Sequence, residues 1–275
     1  MSARTMAGPI RKPHTMLAVS DVPRALLELS LLPASVPALR RIARGDGHPV
    51  LVLPGLLTSD LSTAILRRFL KSKGHDARAW KLGRNLGQKS VGQESEKIVA
   101  RVREIHDAAE RKVSLVGWSL GGIISRQIAQ KMPELVRQVI TLGSPFTGDV
   151  TATHATRIYE RVSGDRYTHE RQAQRRAEEA QPVPVPSTAI YSRYDGITAW
   201  KNCLEDAEDD QSENIELYGS HLGMTVNPAV LYLVAERLAQ PEGEWQRFER
   251  NGWQSLFYPV RAKEATGARD HGVAS

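Results

Sequence analysis

The sequence predicts an α/β fold, in which a mostly parallel sheet of about six strands is flanked by helices. A continuous apolar run at residues 50–53 and two mostly apolar segments, at residues 113–116 and 138–142, are typical of strands buried on both faces. Helical patterns separate these runs, and parallel strands need such crossover connections. Because ligands of such sheets bind beyond the carboxyl ends of the strands, the candidate site is expected in the loops there.

The remaining elements follow from the same patterns of apolar spacing. Apolar residues recur at helical spacing in four further segments. These helices are predicted at residues 61–73, 94–111, 123–132 and 229–239. Shorter segments complete the predicted strands, at residues 77–80, 187–192 and 214–217.

The pattern divides the chain of 275 residues into three parts. Residues 1–45 form an N-terminal extension with two short helices, and residues 46–260 form the α/β domain. A short helical cap insertion, rich in arginine and glutamate, interrupts this domain at about residues 147–186 and ends in a stiff proline-rich segment. Residues 261–275 are expected to be a disordered tail.

The N-terminal extension has two interpretations. Its helices are predicted at residues 23–32 and 35–44, and we favour a clasp that packs on the core. The alternative is an amphipathic element on a membrane surface, with Arg40, Arg41 and Arg44 facing lipid headgroups.

The composition argues against several classes of protein. The net charge is +6, but basic and acidic residues are interleaved, as on solvated helix faces rather than nucleic-acid-binding surfaces. Cys203 is the single cysteine, so no intrachain disulfide forms and a reducing compartment is mildly favoured. No Cys/His cluster has the spacing of a zinc site, and we expect no metal.

The sequence also bears on membrane insertion and targeting. No run of about 18 apolar residues occurs, so no membrane span is predicted. The leucine-rich run near the N-terminus is interrupted by Asp21, Arg24 and Glu28, and no small-residue cleavage site follows it. We therefore expect a cytoplasmic protein, with peripheral membrane contact through the N-terminal helices as the alternative.

The strongest motif is G-W-S-L-G-G at residues 117–122, which lies between a predicted strand and a predicted helix. In this strand–turn–helix context, a G-x-S-x-G motif lifts a serine hydroxyl out of the sheet on a sharp turn. Side chains at Gly117 and Gly121 would collide with that turn, and Gly122 lets the helix pass close to the neighbouring strand. Ser119 is therefore the candidate nucleophile.

A serine hydroxyl needs a base, and the base needs a group that orients it. His221 follows the predicted strand at 214–217 after a short loop, whereas the other histidines lie in predicted helices, tails, the insertion or the opposite end of the sheet. Asp195 follows the strand at 187–192 and is the candidate orienting acid, although Asp-Gly is also an ordinary turn signal. The order Ser119, Asp195, His221 is the order expected for this fold.

The oxyanion of the tetrahedral intermediate needs backbone N–H donors. One is expected from Leu120, the residue after the nucleophile. The other is expected from the loop after the first clear strand, where we favour Leu56 over Leu57.

These motifs together resemble the α/β-hydrolase superfamily, and within it the bacterial-type lipase and esterase branch with a compact sheet. The resemblance spans most of residues 48–240. It implies a triad of Ser119, Asp195 and His221, with no metal and no organic cofactor. Two features depart from the larger fold: only about six strands are visible, and the oxyanion segment lacks a preceding histidine or a run of glycines. The matching segments are residues 50–55, 117–122, 142–145, 192–196 and 219–221.

The leading functional hypothesis is hydrolysis of a lipid or other carboxylic ester through an acyl-enzyme. An acyltransferase, a thioesterase or an amidase could use the same triad. A non-catalytic binding protein of the same fold is the alternative from another class, and the intact triad argues against it. The acyl length and the alcohol part of the substrate, the mobility of the insertion and the oligomeric state stay open.

Overall fold

The computed structural model describes residues 10–148, 152–154, 159, 178, 180–205 and 210–259. Its strands form one sheet with the order β2-β1-β3-β4-β5-β6, and every neighbouring pair is parallel. The predicted fold class, a parallel α/β sheet of about six strands flanked by helices, is therefore confirmed. The strands are β1 Pro49–Leu53, β2 Asp76–Ala79, β3 Val113–Trp118, β4 Val136–Leu142, β5 Ser187–Tyr191 and β6 Ser212–Glu216.

Helices cover both faces of this sheet. The described α-helices are α1 Thr15–Ser30, α2 Leu32–Arg40, α3 Ala64–Ser72, α4 Gln88–Val91, α5 Glu96–Ala109, α6 Leu120–Lys131 and α7 Pro228–Leu238. Short 3-10 turns lie at Asp60–Thr63, Pro133–Leu135, Trp200–Cys203 and Gly252–Leu256.

The core is divided by the sheet into two apolar clusters, because successive side chains of a strand point to opposite faces. In β1, Val50 and Val52 join the cluster that includes residues of α3 and α7. Leu51 and Leu53 join the cluster that includes residues of α5 and α6. All five residues of β1 are buried, which explains its unbroken apolar sequence.

The N-terminal helices differ from their predicted bounds. The first begins at Thr15 instead of residue 23 and contains Pro23 in its interior, where proline usually breaks a helix. The second begins at Leu32 instead of residue 35, with Pro33 in its first turn, where the missing N–H of proline costs nothing. Pro33 therefore lies within the start of the second helix rather than between the two helices.

The structure describes only parts of the predicted N-terminal extension and of the predicted insertion. In the extension, Leu39 and Ile42 lie in the core cluster beside α7. Of the predicted insertion at 147–186, only residues 147–148, 152–154, 159, 178 and 180–186 are described. The predicted tail at 261–275 lies outside the described residues.

Candidate active site

Ser119 occupies a strained turn between β3 and α6. Its backbone angles are φ 54° and ψ −120°, a region that residues with a side chain rarely adopt. The Ser119 N–H donates to the carbonyl oxygen of Leu142 at 2.9 Å, which fixes the turn against the end of β4. Such a turn at the carboxyl end of a parallel strand presents a serine hydroxyl above the sheet.

The glycines of the motif are required by close backbone approaches. A Cβ on Gly117 would collide with the backbone of Gly121, and a Cβ on Gly121 would collide with the carbonyl oxygen of Leu53. A Cβ on Gly122 would overlap the side chain of Ser144. Each of these contacts lies inside the 3.0 Å that Cβ atoms keep from other heavy atoms, so even alanine requires the turn to move.

His221 and Asp195 form a buried pair. The His221 Nδ1 lies 2.6 Å from the Asp195 Oδ2, and each residue is only 3% exposed. The carboxylate is held in place by three further bonds, from the N–H groups of Ile197 and Thr198 and from the Thr198 hydroxyl, at 2.7–2.9 Å. The Asp195 carboxylate is therefore held in place by its own loop as well as by its contact with His221.

Gly143 shows that the pair and the serine share one rim of the sheet. A Cβ on Gly143 would lie 3.1 Å from the Asp195 Oδ2 and 3.2 Å from the His221 Nδ1. Gly143 directly follows Leu142, whose carbonyl accepts the Ser119 N–H. The Ser119 turn and the His221–Asp195 pair therefore lie at the same rim of the sheet, where β3 and β4 end.

The environment of His221 favours the protonated imidazole. Burial alone lowers the pKa of His221, but the charge and hydrogen bond of Asp195 and the charge of Asp21 outweigh it. The pKa of His221 is therefore raised above its ordinary value of 6.5. A base with a raised pKa is a stronger proton acceptor but is neutral only at higher pH.

Asp21 of α1 binds the loops that carry both members of the pair. Its carboxylate is completely buried and accepts from the N–H groups of Gly196 at 3.2 Å, His221 at 3.0 Å and Leu222 at 2.8 Å. Arg24 donates to the same carboxylate at 3.0 Å. One acidic side chain from the N-terminal extension therefore fixes the loop after β5 relative to the loop after β6.

Arg24 and Glu28 extend this contact along the same face of α1. Arg24 donates to the carbonyl oxygen of Tyr194 at 2.7 Å, and Glu28 accepts from the Ser220 N–H at 2.7 Å. Burial raises the pKa of Glu28, although its hydrogen bonds oppose this effect. In the sequence, these charges argue against a signal peptide, but no contact with the candidate site was predicted for them. Their spacing, three and seven residues after Asp21, was the available signal for a polar helix face.

The candidate oxyanion donors differ in their availability. The N–H of Leu57 donates to the carbonyl oxygen of Asn85 at 2.8 Å, so it is already engaged. The N–H groups of Leu56 and Leu120 donate to no partner within the described part of the chain. Asn85, which the sequence analysis missed, is buried, and its side-chain amide donates to the Pro54 carbonyl at 2.7 Å. Asn85 therefore fixes the loop that would carry the second donor.

A cleft of about 300 Å³ adjoins the candidate oxyanion residue Leu120. Ile123 and Ile124 of α6 and the aromatic ring of Tyr159 also line it. Tyr159 belongs to the predicted insertion, and its ring packs against Gly87. The cleft therefore lies along α6, and its lining includes Leu120 but not Ser119 or His221.

Three potential metal-binding side chains meet at the opposite end of the strands. Ligand atoms of Asp46, His48 and His75 lie within 4.8 Å of one another. Asp46 and His48 precede β1 and His75 precedes β2, so the sequence spacing of the three gave no indication of this group. Asp46 also forms ion pairs with Arg111 at 2.5 Å and Arg137 at 2.8 Å, which compete with any cation for the carboxylate. We assign no metal to this group.

A family model for palmitoyl protein thioesterase matches residues 49–195, which is more than half of the chain. Curated relatives include a triacylglycerol lipase of Burkholderia plantarii, 29% identical over 129 residues, which are 44% of this chain and 36% of that protein. A triacylglycerol lipase of Pseudarthrobacter phenanthrenivorans is 29% identical over 108 residues, which are 37% of this chain and 34% of that protein. The matches therefore span about a third of the length of these relatives.

Solved structures share the fold. Aspergillus fumigatus lipase B superposes with a TM-score of 0.56 at 18% identity, covering 75% of this chain and 58% of that one. A structure from the study of the metagenome-derived lipolytic enzymes LipS and LipT gives 0.52 at 15% identity, with coverages of 71% and 93%. At such identities the likeness concerns the fold. Because the family match extends from β1 through the Ser119 turn to Asp195, this chain belongs to the palmitoyl protein thioesterase family of lipase- and esterase-like α/β-hydrolases.

Proposed function

We propose that this protein hydrolyses carboxylic esters of lipids through an acyl-enzyme formed on Ser119. The observation that carries the proposal is the meeting of a strained serine turn and a buried His221–Asp195 pair beside Gly143. A serine alone is a poor nucleophile, and a buried imidazole held by a carboxylate supplies the base that it lacks.

In the first half of the reaction, His221 takes the proton of the Ser119 hydroxyl as the oxygen attacks the ester carbonyl. Asp195 keeps the Nδ1 proton in place, so that the other ring nitrogen is the acceptor. The N–H groups of Leu56 and Leu120 bind the oxyanion, and each such donor is worth about 3–4 kcal/mol in the transition state. The imidazolium then gives its proton to the leaving alcohol.

In the second half, water replaces the alcohol. His221 removes a proton from the water as it attacks the acyl carbonyl of Ser119. The same oxyanion donors bind the second tetrahedral intermediate, which collapses to the free carboxylic acid. His221 returns its proton to the serine oxygen, so atoms and charges balance over the cycle. Transfer of the acyl group to an added alcohol instead of water would identify an acyltransferase.

A second candidate function is hydrolysis of a thioester. The match of the palmitoyl protein thioesterase family to residues 49–195 favours it, because this segment includes the nucleophile and the acid. The same residues serve both reactions, since only the leaving atom differs.

The test compares nitrophenyl esters of graded chain length with coenzyme A thioesters of the same acids. We expect turnover by the wild-type protein, and a loss in kcat of about 10⁶ in Ser119→Ala. Ser72→Ala is the matched control, because its hydroxyl is exposed and bonds only to its own helix. Preference for thioesters at equal chain length would select the second candidate. Undiminished turnover in Ser119→Ala would contradict both.

A further inference from the structure

The helix α1 is amphipathic in the reverse sense to an ordinary surface helix. Its three charged residues, Asp21, Arg24 and Glu28, point toward the protein and bind the loops of the candidate site. Its exposed side is apolar: Val19 is 75% exposed and Leu26 is 62% exposed. The exposed apolar residues of α1 are Met16, Val19, Val22, Pro23, Leu26, Leu27 and Leu29.

The exposed apolar side of α1 indicates that this helix contacts an apolar partner. A helix that rests on a soluble protein normally turns its apolar side inward and its charges outward. No charged residue of α1 is exposed, so water meets a continuous aliphatic surface along the helix. Contiguous exposed apolar surfaces of this kind mark contacts with other proteins or with membranes.

The charges on either side of α1 identify an anionic lipid surface as the partner. Between residues 10 and 45, every exposed charged residue is basic. Aliphatic side chains bordered by arginine and lysine match the acyl layer and the anionic headgroups of a bilayer. A second copy of this chain fits less well, since a two-fold interface through α1 would bring like basic flanks together. The basic residues are Arg11, Lys12, Arg40, Arg41 and Arg44.

The geometry favours a helix lying on the membrane rather than one crossing it. With 16 residues, α1 is about 24 Å long, and its inner side is committed to the protein through Asp21 and Glu28. Among the described residues, no single helix is long and apolar enough to cross a bilayer. Only α1 and α2 taken together have the length and apolar composition of a membrane span, and a bend of 54° separates them.

The loops that α1 binds also carry exposed side chains of their own. Large apolar side chains adjoin both catalytic loops: Tyr194 precedes Asp195, and Leu222 follows His221, and both are exposed. Leu57 and Leu61 are exposed on the loop and turn after β1. A membrane in contact with α1 would therefore lie near the loops that carry Asp195 and His221.

We propose that α1 docks this protein on the surface of an anionic bilayer, with Val19, Val22 and Leu26 inserted into the interfacial layer. The site then opens toward the membrane, so that an acylated substrate enters without crossing water. Docking does not depend on catalysis; only the delivery of substrate rests on the function proposed above.

The experiment measures binding to phosphatidylcholine vesicles with and without phosphatidylglycerol, by flotation of the full chain in the absence of substrate. Removing one large aliphatic side chain from an apolar phase costs about tenfold to a hundredfold in partition. We therefore expect Val19→Glu/Leu26→Glu to lower the partition coefficient at least about a hundredfold on anionic vesicles. Leu256→Glu is the matched control, since Leu256 is 71% exposed but lies in the C-terminal turn.

The outcomes separate the possible partners. Docking through α1 is supported if the wild-type protein and the control bind anionic vesicles and the double variant does not. The double variant must also keep the wild-type melting temperature. Failure of the wild-type protein to float, equal binding to neutral vesicles, or full binding by the double variant overturns the proposal. A wild-type dimer in sedimentation that the double variant dissociates also overturns it and assigns the surface to a second copy. Because no substrate is present, failure here leaves the test of hydrolysis unaffected.

Discussion

Replacing Asp21 with asparagine tests whether α1 holds the catalytic loops. The carboxylate accepts three backbone N–H groups, from Gly196, His221 and Leu222, and its side chain is only 1% exposed. Asparagine has nearly the same shape, but one of its two terminal atoms is a donor. At least one loop N–H would therefore face another N–H in a buried position.

The size of the effect follows from the hydrogen bonds that are lost. A bond to a charged group contributes about 1.5–3 kcal/mol, and an unsatisfied buried donor costs about 1–3 kcal/mol. We expect Asp21→Asn to lower the free energy of unfolding by about 2–3 kcal/mol. For a domain of this size, that corresponds to a melting temperature lower by about 4–12 °C.

The same substitution changes the pH dependence of hydrolysis. The negative charge of Asp21 helps to raise the pKa of His221, so its removal lowers that pKa. Activity is lost when pH falls through the pKa of the base, because the base must be neutral. The acid limb of kcat/KM should therefore lie above pH 6.5 in the wild-type protein and move to lower pH in Asp21→Asn.

The assay combines thermal unfolding with a pH profile of kcat/KM on a soluble ester. Asp46→Asn is the matched control, because Asp46 holds Arg111 and Arg137 at the opposite end of the strands. It should also destabilise the protein, but it should leave the acid limb in place. An Asp21→Asn variant with wild-type stability and an unmoved acid limb would refute the argument that α1 positions His221.

Three further substitutions test the turn, the oxyanion loop and the acid. Gly121→Ala places a Cβ against the last carbonyl of β1, so we expect about 1–3 kcal/mol of destabilisation and a large loss of kcat; an active, stable variant would contradict the steric argument. Asn85→Ala removes the bond to the Pro54 carbonyl, so we expect kcat to fall while KM changes little. An unchanged kcat would show that Asn85 does not position the oxyanion donor. Asp195→Asn should lower kcat about 10⁴-fold and move the acid limb to lower pH as the pKa of His221 falls, which a pH profile measures.

The pKa of His221 also links pH to stability. Because the pKa in the folded state lies above the ordinary value of 6.5, the pair with Asp195 stabilises the fold fully below that pH. This contribution is lost as pH rises through the raised pKa. The free energy of unfolding of the wild-type protein should therefore decrease over that range relative to His221→Gln.

The sheet and the serine turn could be predicted because their signals are local. Strands buried on both faces are rich in apolar residues: β1 is apolar throughout, and β3 and β4 are apolar at most positions. The turn at Ser119 needs glycines at fixed distances along the chain, and these are visible in the sequence. Asp195 and His221 could be selected because each follows a predicted strand of the parallel sheet and because their order along the chain suits this fold.

The role of α1 could not be predicted in the same way. Its partners Gly196 and His221 lie 175 and 200 residues further along the chain from Asp21. A leucine-rich helix with few charges suggests that its apolar side packs on the core, whereas here the charges are buried and the leucines are exposed. Pro23 also suggested a helix start, so the first turns of α1 were missed.

Asn85 shows the same limit on a smaller scale. An asparagine in a loop after a short strand has no distinguishing sequence signal. Only the folded chain shows that its side chain and its carbonyl hold the loop from Pro54 to Leu57.

The central claim is that Ser119 attacks a carbonyl with the help of His221, and covalent labelling tests it most directly. The protein is treated with a fluorophosphonate, digested, and its peptides are analysed by mass spectrometry. We predict one adduct, on the peptide containing Ser119, with labelling absent in Ser119→Ala and strongly slowed in His221→Ala. An adduct on another serine, or labelling of Ser119 at the wild-type rate without His221, would contradict the account.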